Sequence, residues 1–135
     1  MANPSPKQKQ VFFSDFLFDF KKNPHTNDLV RVTNEQSVIN SIKKILNTNH
    51  NEVPYNSLFG ANISHYLFEP FSPTTEMEIK NEIKFAIENF EPRAELLDIV
   101  VNGKPDDNAL EITLTVAIIN NPAPITVSTT LVRIR

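Results

Sequence analysis

Hydrophobic residues recur along this chain with two different periods, and the changes of period mark out its elements. Between residues 11 and 20, alternation places Phe12, Phe16, Phe18 and Phe20 on one side and Phe13, Asp15, Leu17 and Asp19 on the other, which predicts a strand. The turn Lys21-Lys22-Asn23-Pro24 and the return Leu29-Val30-Arg31-Val32 predict a hairpin with a long polar tip. From about residue 34 the period lengthens to that of a helix. Val38, Ile39, Ile42, Ile45 and Leu46 share one face as far as residue 47, behind a Thr33 and Gln36 capping box. The stretch from 52 to 73 is irregular. Val53-Pro54-Tyr55 reads as extended, Phe59-Gly60 as a left-handed corner, and Ile63, Tyr66 and Leu67 as a short helix.

Ser72 as N-cap and Pro73 as first helical residue open the principal helix, predicted to run to Asn89 or Phe90. Its core stripe is Ile79, Ile83, Ala86, Ile87 and Phe90. Met77 and Phe85 fall toward the opposite face, where they suggest a second interface. Three strands follow, over residues 96 to 102, 110 to 118 and 125 to 134. In the second, Leu110, Ile112, Leu114, Val116 and Ile118 alternate with polar residues. Asn120-Asn121-Pro122-Ala123-Pro124 reads as the turn before the third. That last strand changes phase, with Ile125 and Val127 at odd positions and Val132 and Ile134 at even ones. A bulge or a change of environment near Thr129-Thr130-Leu131 is therefore expected. As the last strand of the sequence it is a candidate edge, with Ile125, Val127, Leu131, Val132 and Ile134 as partner-binding residues. The pattern implies an α+β fold: a small mixed or antiparallel sheet with two main helices and one short helix packed on it. A mobile arm over residues 1 to 10 and a single domain over 11 to 135 complete the expected organisation.

Between the principal helix and the strands stands Glu91-Pro92-Arg93. Proline disfavours helix at the residue before it and fixes its own φ, so two opposite charges sit on a stiff corner, suited to gripping a neighbour or each other. The plainer alternative is a helix stop with two solvated charges.

Composition narrows the chemistry. A net charge of −3 offers no basic footprint for nucleic acid. There is no cysteine, hence no disulfide or thiol catalysis, and no span of about 20 apolar residues that would cross a membrane. With two glycines against ten prolines, turns must be made by Pro, Asn and Asp, and phosphate-wrapping loops are not available. His25, His50 and His65 show no metal-ligand spacing, and Ser14, Ser37 and Ser41 no cue of a nearby base. A glycosidase needs two carboxyl groups about 5 to 10 Å apart, one with a raised pKa. Glu76, Glu78, Glu82 and Glu88 belong to the solvated side or first turn of the main helix. Glu69, between Phe68 and Pro70, has the most apolar surroundings, yet a loop charge packing only its methylenes fits it as well. No catalytic residue, cofactor or metal site is expected.

Val53-Pro54-Tyr55, Phe59-Gly60, Ile63, Leu67-Phe68-Glu69, Ser72-Pro73-Thr74-Thr75, Asn89-Phe90-Glu91-Pro92-Arg93 and Ile119-Asn120-Asn121-Pro122, in this order and spacing, resemble the baseplate wedge subunit of contractile-tailed bacteriophages. That family includes the matching subunit of type VI secretion systems. The resemblance covers about residues 28 to 135. It implies a structural virion protein, assembled in the host cytoplasm into the tail baseplate and monomeric when isolated. Its implied partners are other wedge proteins, the tail sheath subunit and the tail tube. Glu91, Pro92 and Arg93 would dock on the helical core bundle of the wedge, and Arg93→Ala or Glu91→Ala would leave a folded monomer unable to dock. Family members offer the sheath a strand-accepting sheet, and the edge position and phase change of the last strand, from about Ile125 to Ile134, select it here for that part. Val53 and Asn56-Ser57-Leu58 depart from the family pattern, which often has a basic residue before Pro54 and a proline or acidic residue before Phe59. Other readings are a secretion-system subunit, a lysozyme-like muramidase and a regulatory binding module.

Overall fold

The structure, a computed structural model, describes residues 10 to 17 and 19 to 133. The expected arm, but for Gln10, lies outside the described residues, as do Phe18 and Ile134. The chain forms two compact units, Met1–Ser37 and Val38–Arg135.

In the first unit, β1 (Ser14–Phe16) and β2 (Arg31–Thr33) pair antiparallel, with Ser14 opposite Thr33 and Phe16 opposite Arg31. The hairpin expected from the sequence is present, but each strand has three residues. After Leu17 the chain turns: the Phe20 N–H donates to the Leu17 carbonyl at 3.0 Å and Phe20 takes φ 48, so alternation cannot continue. Asn34, at φ 52, fastens the start of β1: its side-chain oxygen accepts from the N–H groups of Phe12 and Phe13, at 2.8 and 3.3 Å. The helix behind it starts at Glu35, one residue later than the capping-box reading placed it.

The second unit opens within α1 (Glu35–Asn47), whose Val38, Ile42, Ile45 and Leu46 are buried as the helical period required. The loop beyond it departs from expectation. Val53-Pro54-Tyr55 is a turn rather than an extended segment, closed by the Asn56 N–H on the Val53 carbonyl at 3.2 Å, with Tyr55 at φ 65. A left-handed tyrosine costs on the order of 1 kcal/mol, so its neighbours must hold it. Gly60, at φ 102, makes the predicted left-handed corner. A Cβ there would sit 2.3 Å from the Thr48 carbonyl oxygen, so no other residue fits.

A 3-10 helix (Ile63–Phe68) leads to α2 (Pro73–Phe90). Ser72 caps α2 by accepting the Thr75 N–H at 3.2 Å, and Pro73 fills the first helical position. Ile79, Ile83, Ala86 and Ile87 are buried along one stripe, and Phe90 packs on Phe59 with ring centroids 5.0 Å apart. The sheet is antiparallel, β3 (Ala94–Lys104), β4 (Ala109–Ile118), β5 (Asn121–Val132), in the order β3-β4-β5. Ile112, Leu114 and Val116 of the central β4 are fully buried, and α2 packs on β3. Each such side chain taken from water contributes roughly 1.5–3 kcal/mol.

Two expectations for β5 are corrected. It begins at Asn121, four residues before Ile125, because the β4–β5 connection is only Ile119 and the left-handed Asn120. Its irregularity falls where Val116 faces Ile125 and Ile118 faces Asn121, so Pro122-Ala123-Pro124 bulges out. From Ile125 to Val132 the register is continuous, and no bulge occurs near Thr129. The odd positions Val127 and Leu131 stay buried throughout, whereas Val132 is exposed on the other face. The apparent phase change is thus an apolar residue on the outer face.

Candidate docking corner and strand edge

Proline after Glu91 ends α2, and the chain turns at once: the Glu91 N–H closes the last helical turn on Ile87, and the Ala94 N–H donates to the Glu91 carbonyl at 3.2 Å. The Arg93 carbonyl accepts the Ile119 N–H at 3.0 Å, which ties the corner to the β4–β5 connection. Glu91 is 1% exposed. Its two carboxylate oxygens accept from Arg93 Nε at 2.6 Å and Nη2 at 2.8 Å, a bidentate pair. Burial pushes the Glu91 carboxyl up. The Arg93 guanidinium and the Ser41 hydroxyl of α1 outweigh it and hold the group below the usual glutamate value. Of the two options for this corner, the charges grip each other; the solvated-charge alternative is excluded. Arg93, at 29% side-chain exposure, brings the pair to the surface, and Pro92 is exposed beside it.

Ser41 is the member of this site that sequence reasoning passed over. It carries no motif of its own, and only folding brings α1 against the corner.

Met77 and Phe85 stand on the outer face of α2 with 66% and 59% exposure, as the period predicted. The five residues assigned to the last strand divide. Val127 and Leu131 are core, Ile125 is half-buried, Val132 is exposed, and Ile134 lies outside the described residues. The Arg133 N–H donates to the Asn108 carbonyl at 2.9 Å, which fixes the hydrogen-bonding phase. Residues 125, 127, 129 and 131 direct their backbone groups to β4, and those of Thr126, Ser128, Thr130 and Val132 point outward. Among the described residues no strand pairs with that outer edge. The residues able to pair with a partner strand are therefore Thr126, Ser128, Thr130 and Val132.

A buried, paired corner and a sheet edge that is unpaired among the described residues suit a subunit that joins others. Comparison with known proteins gives this class its name: a structural component of a tail baseplate. The profile of the baseplate wedge protein gp25 family matches residues 32–123, and the chain belongs to that family. Baseplate wedge protein gp25 of Enterobacteria phage T4 is 32% identical over 95 residues, covering 70% of this chain and 72% of the phage protein. Among solved structures, a Geobacter sulfurreducens protein described as a tail lysozyme superposes with TM-score 0.66 at 25% identity, over 75% of this chain and 92% of its own. A chain in the baseplate of the anti-feeding prophage superposes with TM-score 0.64 at 18% identity, covering 89% of this chain and 85% of its own, a likeness of fold.

Proposed function

We propose that this subunit docks on the wedge core through its Glu91-Pro92-Arg93 corner and the adjoining α2 face, and starts the sheath by accepting a strand on β5. The observation that carries this reading is the outer edge of β5. From Ile125 to Val132 it is bulge-free and contains no charged residue, so nothing in it opposes pairing with a second chain. The corner supplies the rigid counterpart. A guanidinium held by two hydrogen bonds on a turn pinned at both ends is already ordered before it meets a partner, which lowers the entropy cost of docking. In this scheme the partners are the helical bundle of the other wedge proteins, the first sheath ring and the neighbouring tail tube. Assembly takes place in the host cytoplasm.

Burial of Glu91 corrects one expectation. Arg93→Ala strands a buried carboxylate, so it would weaken the fold as well as docking and cannot separate the two. Docking is better tested at the exposed Phe85 and Met77. Phe85→Ser with Met77→Ser is expected to leave the melting curve unchanged and to weaken copurification with the wedge core at least tenfold. Undiminished copurification would remove this face from the docking surface.

We also read the chain as a non-enzyme. Its buried carboxylate is held ionised, the opposite of a general acid, and Glu69 is exposed. Loss of peptidoglycan turnover in Glu69→Gln, with wild-type turnover present, would restore the muramidase reading.

A further inference from the structure

The glutamates of α2 are not all balanced. The helix carries Glu76, Glu78, Glu82 and Glu88 against Lys80 and Lys84, and both lysines are engaged one turn away. Lys80 Nζ lies 2.6 Å from the Glu76 carboxylate, and Lys84 Nζ 4.0 Å from that of Glu88. Glu78 and Glu82 are left over: among the described residues no ion pair or hydrogen bond reaches either carboxylate. Their i,i+4 spacing sets two like charges side by side, with Cβ atoms roughly 5–6 Å apart, an arrangement that costs stability. The helix dipole does not account for them, because only Glu76 stands in the first turn.

The 3-10 helix turns another unpartnered group toward the same place. Tyr66 is 8% exposed, and its hydroxyl makes no hydrogen bond among the described residues. His65 covers its ring, with centroids 3.8 Å apart, and is itself fixed by Nδ1 at 2.6 Å from the Asn62 carbonyl oxygen. The hydroxyl faces the acidic side of α2: burial pushes the phenol up, and Glu82, Glu78 and Glu69 push it further, in that order. Buried polar groups are normally satisfied. Here a buried phenol and two carboxylates converge on one notch that lacks a cation, so the missing partner is positively charged and comes from outside the chain.

We infer that the protein meeting the α2 face presents an arginine, its guanidinium seated between Glu78 and Glu82 and donating to both carboxylates and to the Tyr66 hydroxyl oxygen. A planar group with five donors reaches several separate acceptors at once, whereas an ammonium is a single point. Phe85 stands three residues beyond Glu82 and is exposed, as is Met77 beside Glu78, so the partner segment joins apolar side chains to a basic one. The inference rests on the reading of this face as a wedge contact and adds the chemistry of what lands there.

The test uses the full chain co-expressed with the other wedge subunits of its own tail. Glu78→Gln with Glu82→Gln keeps the shape and removes both charges. Its melting temperature is expected to stay level or rise by about a degree or two as the like-charge pair goes, while recovery in wedge complexes falls about tenfold or more. Wild-type recovery should fall as salt is raised, and the remaining recovery of the variant should not. Tyr66→Phe should lower recovery a few-fold. A photo-crosslinking p-benzoylphenylalanine at Asn81, on the same face, should join one wedge protein in a segment that contains arginine. Recovery of the glutamate variant equal to wild type, a lowered melting temperature, or a crosslinked segment without arginine would each overturn the inference. Loss in the Phe85→Ser, Met77→Ser double variant with full recovery of the glutamate variant would discard the arginine seat and leave the α2 face standing. The converse result would keep the seat and discard the apolar contact. Full recovery of both variants, or a wild-type chain that joins no wedge complex, would discard both.

Discussion

β3 and β5 flank the same central strand, yet their outer edges carry different chemistry. β3 bends at a bulge between Leu96 and Asp98, and the Asp98 carboxylate accepts the outward N–H of Ile99 at 2.9 Å. Glu95 and Lys104 place charges along the same strand. These features discourage a second chain from pairing. β5 confines its prolines and its bulge to residues 122 to 124, next to the β4–β5 connection, and leaves Thr126, Ser128, Thr130 and Val132 with outward backbone groups and no charge. Within one small sheet, then, one edge is guarded and the other left open. An open edge risks aggregation unless assembly uses it, and the proposed role of β5 gives the asymmetry its purpose.

The largest expected effect comes from the corner, because it fixes where β3 starts and where β4 turns into β5. Arg93→Ala leaves the buried Glu91 carboxylate without its counter-charge and should destabilise the fold by about 3–5 kcal/mol, read by urea denaturation. A loss below about 1 kcal/mol would mean the pair is not what holds the corner. The same pair sets a pH dependence. The folded pKa of Glu91 is depressed, so its contribution is complete above the ordinary glutamate value of 4.5 and is lost as pH falls from there through the folded value. Glu91→Gln should flatten the stability profile in that window relative to wild type; identical slopes would assign the acid sensitivity elsewhere.

A smaller effect is expected at the guarded edge. Asp98→Ala frees the Ile99 N–H and should cost about 0.5–1.5 kcal/mol of stability. It should also raise concentration-dependent self-association by sedimentation. A variant that remains monomeric at every concentration would show that the bulge alone protects β3.

The sequence displayed much of this architecture because α2 and β4 each obey one period over their whole length. The stripe from Ile79 to Ile87, the Ser72 cap and the alternation in β4 follow directly from burial on one side. β5 was harder to read. Its prolines have the composition of a turn and form a bulge instead, and Val132 suggested a slip of register where the strand merely has an apolar residue outside. The corner was visible as a stiff acidic and basic bend, but no local signal showed that its two charges would pair in a buried position with Ser41 beside them. That depends on how closely α1 approaches, which periodicity does not encode. Tyr55 was misplaced for a related reason: tyrosine favours extended backbone, and only the surrounding hydrogen bonds impose the left-handed turn.

Deleting β5 would remove Val127 and Leu131 from the core, so the open edge is most directly tested by a pair of single substitutions that differ only in which way an N–H points. Thr129→Pro removes a donor directed to β4 and should unfold the sheet, whereas Ser128→Pro removes one directed outward, a place where edge strands accept proline. Sheath growth on baseplates carrying Ser128→Pro is the decisive measurement. A folded subunit built into baseplates that bear no sheath is the expected result; sheaths of normal length on those baseplates would contradict the role given to β5.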